Sequence, residues 1–191
     1  MNEVSSLRQR RFEALFEAHK LDVLAYCTRR LGRIDATDAC SETFLVAWRR
    51  LGDIPPSPKT LPYLYGIASR VVSNQFRTLR RRSRLEAKLG ALGVSVAPDP
   101  EVVVLQRARD QEVVAAVRKL NPKDREIVML YAWEDLPREA IAEVVGMTRA
   151  AVDQRLHRAN QKLALILDRG AETDGVSTPP IAERGGAWLT K

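Results

Sequence analysis

The sequence predicts an all-α protein: two small helical domains joined by a flexible linker. Apolar residues recur at steps of three and four through most of the 191-residue chain, the repeat of one helix face. No stretch carries the alternation of a half-buried strand. The helical repeat is interrupted by residues 90–100, GALGVSVAPDP, whose small residues and prolines read as a linker. The length allows one ordinary domain or two small ones, and there is no internal repeat.

Composition narrows the function classes. A net charge of +7 suits a polyanionic partner and is silent about fold. Cys27 and Cys40 are far apart with no Cys or His cluster around them, so they read as small packing residues in a reducing cytoplasm rather than as metal ligands. No run approaches the roughly 18 apolar residues of a membrane span. The N-terminus, MNEVSSLRQRRF, has no apolar signal core, which gives a cytoplasmic expectation with no direct membrane contact. There is no glycine-rich phosphate loop, no metal-ligand constellation and no nucleophile–base pattern, so neither a cofactor nor a catalytic residue is expected.

Residues 7–31 place Phe12, Leu15, Phe16, Leu21, Leu24, Tyr26, Cys27 and Leu31 on a long helix ending before Gly32. Asp35 or Thr37 opens a second helix to about Leu51. Its inner side is Ala36, Ala39, Cys40, Phe44, Ala47, Trp48 and Leu51; its outer side carries Asp38, Ser41, Glu42, Val46 and Arg49. Residues 52–58, GDIPPSP, are excluded from a helix because proline lacks an N–H and restricts its predecessor. Thr60-Leu-Pro62 then reads as a helix start, with Thr60 or Leu61 as cap. That helix runs through Tyr63, Leu64, Ile67, Ala68, Val71, Val72 and Phe76 into Arg77, Arg80, Arg81, Arg82, Arg84 and Lys88. Arginines at this density, with Tyr63, Tyr65 and Phe76 on the same element, suit a surface that contacts backbone phosphates and stacks bases.

Beyond the linker, a helix is expected over residues 101–120, and Asn121-Pro122 signals the next, to about Trp133. Pro137 opens a short helix leading to Gly146. Thr148 stands where an N-cap belongs, and Val152, Leu156, Ala159, Leu163 and Leu167 line one face of the helix that follows. Its other face carries Arg149, Gln154, Arg155, His157, Arg158, Gln161 and Lys162. Two helices around a glycine turn, the second cationic and amide-rich, follow the helix-turn-helix plan for a major groove. The alternative for this stretch is an ordinary amphipathic surface helix. From residue 170 onward the chain is rich in Gly, Pro, Ser and Thr, and a mobile tail is expected.

Five stretches in order resemble the bacterial sigma-70 family of RNA polymerase sigma factors, and the size resembles its extracytoplasmic-function (ECF) group. Residues 35–50, DATDACSETFLVAWRR, are similar to the D-A-x-D-L-V-Q-E-T-F-L-x-A-W-R pattern of region 2.2. Residues 64–68, LYGIA, resemble L-Y-R-I-A of regions 2.3 and 2.4. Residues 120–130, with IAEVVGMT at 141–148 and VDQRLHRA at 152–159, resemble region 4. The resemblance implies region 2 at residues 7–89, a linker at 90–100, region 4 at 101–168 and the tail at 169–191. It implies core RNA polymerase as partner, through the β′ clamp helices and the β flap, together with promoter DNA and an anti-sigma factor.

Residue by residue, the resemblance places core-polymerase contacts at Asp38, Ser41, Glu42 and Arg49. It places −10 element contacts at Ile54 in the proline loop and at Tyr63, Arg70, Asn74, Arg77, Arg80 and Arg81. The −35 contacts fall on Thr148, Arg149, Gln154, Arg155, His157, Arg158 and Lys162, with Arg-to-guanine and Gln-to-adenine as the pairings a major groove allows. Several positions depart from the family pattern: Ser41 for glutamine, Tyr63 for tryptophan, Arg70 for asparagine, Ala140 for glutamate and Pro137 for a capping Ser or Thr. Asp153 occupies a position often basic; it can accept from cytosine, orient Arg149 or His157, or simply pair with His157. A stand-alone helix-turn-helix regulator with an N-terminal sensor or dimerisation domain is the competing reading.

Overall fold

The computed structural model describes residues 3–88 and 108–173. All regular elements among them are helical, and the chain divides into two compact units, residues 1–103 and 104–191.

The first unit is built on α1 (Glu3–Arg49), which breaks at Gly32. There φ is 78° and ψ is 175°, a backbone conformation that glycine adopts without a Cβ penalty, so α1 has two arms as the sequence implies. A short 3₁₀ turn, Leu51–Asp53, ends the second arm, and α2 (Thr60–Lys88) packs back against α1. Val23, Tyr26 and Cys27 from the first arm meet Ala36, Ala39, Phe44 and Ala47 from the second, with Leu64, Ile67, Ala68 and Val71 of α2 completing the core. Phe12 and Phe16 pack edge-on against Phe44, and Phe12 also against Trp48. Thr43, buried in this core, donates its hydroxyl to the Ala39 carbonyl at 2.7 Å.

The second unit holds α3 (Ala108–Arg118), α4 (Pro122–Ala132), α5 (Arg138–Val145) and α6 (Arg149–Thr173). Asn121 caps α4: its side chain accepts the Asp124 N–H at 3.0 Å, with Pro122 following in the first turn. Pro137 precedes α5 with no side-chain cap. Gly146 closes α5 in the left-handed region (φ 67°, ψ 44°), and the Thr148 hydroxyl oxygen accepts the Ala151 N–H at 3.2 Å to cap α6. Helix α6 packs on α3, α4 and α5, burying Val152, Leu156 and Ala159 against a core that includes Leu120, Ile127, Leu130 and Ile141.

Two sequence expectations change. Helix α6 continues through Gly170 to Thr173, past Leu167, the last residue of its expected apolar face. The Thr60 hydroxyl does not cap α2; it donates to the Pro55 carbonyl at 2.8 Å and so closes the proline loop, while Tyr63 N–H reaches the Lys59 carbonyl. Helix α3 is described from Ala108 only, so residues 101–107 lie outside the described residues, as do the linker at 90–100 and the tail from 174.

Candidate nucleic-acid interface

Three surfaces carry the predicted contacts. On the second arm of α1, Asp38, Ser41, Glu42 and Arg49 are all exposed, because the inner stripe of Ala36, Ala39, Phe44 and Ala47 fixes which side faces the core. Leu45 stands among them, four residues from Ser41 and four from Arg49, with 50% of its surface exposed. The sequence reading missed it. The signal was its position off the inner stripe, where a large apolar side chain has no core to fill.

The second surface is the proline loop and the outer side of α2. Arg70, Asn74, Arg77 and Arg81 are exposed at steps of four, three and four, which makes one stripe along the helix. Arg77 donates back to the Ser73 carbonyl at 3.3 Å, and Tyr63 is half-buried at the start of the stripe. The Arg80 side chain lies outside the described residues. Two expectations fail here. Ile54 is only 4% exposed, its side chain withdrawn into the core, so it anchors the loop rather than offering a side chain to a base. Tyr65 is equally buried and stacks on Tyr26 with ring centroids 5.0 Å apart, which removes it from any base-stacking surface.

The third surface is α6. Thr148, Arg149, Gln154, His157, Arg158 and Lys162 are exposed. Arg155 is not: it turns inward to Asp124 at 2.6 Å, bolting α6 to the first turn of α4. As a base-reading side chain Arg155 is therefore corrected to a structural one, since leaving Asp124 would take the cation from a largely buried carboxylate whose other side-chain donor is the neutral Asn121 amide. Arg149 contacts Glu139 at 2.8 Å and Asp153 at 3.8 Å, while Asp153 also holds Arg138 at 3.1 Å. Asp153 thus lies beside Arg149, whose shorter contact is with Glu139, and leaves His157 aside; His157 instead approaches Gln161 at 3.1 Å.

Cys27 and Cys40 are buried and not joined by a disulfide, and burial pushes the Cys40 thiol pKa up. Among the described residues no group of three His, Cys, Asp or Glu side chains is placed to hold a metal ion, and no helix is long and apolar enough to cross a membrane.

Known proteins resemble both units of the chain. Residues 15–82 match the family model for sigma-70 region 2, and residues 110–163 match the one for sigma-70 region 4. The RNA polymerase sigma factor CnrH of Cupriavidus metallidurans is 31% identical over 179 residues, covering 89% of this chain and 93% of CnrH. The chain belongs to the sigma-70 family, in its ECF group. The ECF sigma factor BldN of Streptomyces coelicolor is 32% identical over 160 residues, 82% of this chain and 60% of BldN. Among solved structures, CnrH in complex with the cytosolic domain of CnrY superposes with a TM-score of 0.58 at 28% identity, covering 84% of this chain and 90% of that one. RpoE from Bartonella quintana, in complex with the anti-sigma factor NepR, shares the fold with a TM-score of 0.59 at 18% identity, over 84% of this chain and 96% of that one. Sigma factors are non-enzymatic transcription factors, and membership favours promoter-directed initiation over the stand-alone regulator.

Proposed function

We propose that this sigma factor binds core RNA polymerase and directs it to promoters by gripping two DNA elements with two separate helical units. The observation that carries the reading is the pairing, in one chain, of an exposed polar stripe on α2 with a set of exposed polar side chains on α6. Arg70, Asn74, Arg77 and Arg81 lie on α2, within the stretch that matches sigma-70 region 2, and Arg149, Gln154 and Arg158 lie on α6, within the stretch that matches region 4.

In this reading Asp38, Ser41, Glu42, Leu45 and Arg49 dock on the β′ clamp helices. The charged side chains set register, and Leu45 supplies apolar contact at the centre. Region 4 engages the β flap. The loop at 52–59 and the α2 stripe take the −10 element after melting. An extruded base loses a few kcal/mol of stacking, so a protein that traps it needs a shaped pocket to offset that loss. The arginines of α2 neutralise phosphates along the single strand, while Arg149 and Gln154 read base edges of the −35 element and His157, Arg158 and Lys162 hold its backbone.

The protein acts in the cytoplasm without cofactor. An anti-sigma factor is its further partner, a reading supported by CnrH, which was solved bound to the cytosolic domain of CnrY. Transcription-start mapping with core polymerase plus the purified chain tests the function. Discrete starts preceded by two shared sequence elements are expected. No start on any promoter of a genomic library contradicts it.

A further inference from the structure

The proline loop has few hydrogen bonds of its own, because three of its residues are prolines and the 3₁₀ turn ends at Asp53. Two consecutive carbonyls at its base nevertheless have side-chain donors. Pro55 accepts from Thr60, as described, and the Ile54 carbonyl accepts from Arg11 Nη2 at 3.3 Å, a donor 43 residues away on the first arm of α1. One turn earlier on the same arm, Arg8 donates to the Trp48 carbonyl at 3.0 Å and lays its guanidinium over the Trp48 ring, 4.8 Å from the centroid. Arg8 and Arg11 are three residues apart and so share a helix face. Arg10, between them, turns back to Ser6 of its own helix. The start of α1 is thereby strapped across the end of its second arm and onto the loop. Both arginines precede residue 15, where the match to the region 2 model begins.

We infer that Arg11, seconded by Arg8, is a positioning residue for −10 recognition: it holds the base of the proline loop in the shape that receives a base. The inference rests on the reading of residues 52–59 as the base-capturing loop. Ile54 fixes one side of the loop by burying its side chain, and Arg11 fixes the adjacent carbonyl with a charge-assisted bond. With both in place the ordering of Pro56 to Lys59 is completed on folding and is not charged to DNA capture. Without Arg11 the loop samples other shapes, and discrimination at the captured base falls while the −35 contacts on the other unit are untouched.

The test uses holoenzyme reconstituted from core polymerase and the full chain, on duplex promoters that differ at one −10 base or one −35 base. The reading is the ratio of initiation from the preferred and the disfavoured base. Arg11→Gln lowers the −10 ratio by about tenfold, the size of one charge-assisted hydrogen bond, and leaves the −35 ratio alone. Arg11→Lys, which keeps a cationic donor, restores most of it, and Arg10→Gln behaves as the unaltered chain. An unchanged −10 ratio in Arg11→Gln overturns the inference, as does an equal fall of both ratios, which is general loss of fold. A chain with residues 56–58 replaced by glycine separates the two levels. If it loses the −10 ratio while Arg11→Gln keeps it, only the role of Arg11 falls; if it too keeps the ratio, the loop reading falls with it.

Discussion

Arg155 on α6 meets Asp124 in the first turn of α4 at 2.6 Å, with 27% and 16% of the two side chains exposed. Asp124 also gives its N–H to the Asn121 cap, so one contact joins a cap, a helix dipole and α6. Arg155→Ala is expected to destabilise the second unit by roughly 1–3 kcal/mol, the cost of removing the cation from a poorly solvated carboxylate that keeps, among the described residues, only the Asn121 amide as a side-chain donor. Asp124→Asn shows a similar loss, and the double variant loses less than the sum. Hydrogen exchange of α4 and α6 amides measures it; unchanged protection in Arg155→Ala returns that residue to the base-reading set.

Asp153 sits between Arg138 and Arg149 in an exposed network whose members hold little stability, typically under about 1 kcal/mol per pair. Its effect is directional. Asp153→Asn should leave thermal unfolding nearly unchanged, strengthen promoter binding at low salt by removing a negative charge beside phosphates, and broaden base preference at the position Arg149 reads. Selection of −35 sequences with holoenzyme checks this; an unaltered selected sequence contradicts an effect of Asp153 on Arg149.

Leu45 separates docking from packing. Half of its surface is exposed, so Leu45→Asp is expected to weaken core-polymerase binding by about tenfold or more, as for an apolar centre ringed by polar contacts. Its melting temperature should barely move. Phe44→Ala, one residue away but 3% exposed, does the reverse and destabilises by about 3–5 kcal/mol. Competition binding beside thermal denaturation reads both.

Gly146 turns α5 into α6 at φ 67°, and a Cβ added there meets nothing within 4 Å. The cost of Gly146→Ala is therefore backbone strain alone, about 1 kcal/mol. Gly146→Asn costs less, because asparagine tolerates this region, and Gly146→Val costs more. The order Asn, Ala, Val in melting temperature is the check.

The residues explain why some of this was legible in sequence and some was not. Proline and glycine signals act locally, so the Gly32 break, the Asn121-Pro122 start and the Gly146 turn could be read directly. Helical period separated the outer Asp38–Arg49 side from the inner one for the same reason. What depends on a partner distant in sequence could not be read. Arg155 looked like its neighbours Gln154 and Arg158 until Asp124 was placed beneath it, 31 residues earlier. Tyr65 shared an element with Tyr63, yet its ring meets Tyr26 across the core. Ile54 followed the loop in sequence but the core in space. Arg8 and Arg11 carry no signal of their own in the sequence, and only their contacts with Trp48 and Ile54 give them a task.

In the proposed function polymerase holds both DNA grips at once, so each can be weak alone while the pair is selective. Binding of the full chain to one promoter duplex carrying both elements, measured with and without core polymerase at the same salt, tests it most directly. The account predicts no stable complex from the chain alone and a stable, sequence-dependent complex once core polymerase is added. Tight, sequence-specific binding of the chain alone, unaffected by polymerase, would contradict it.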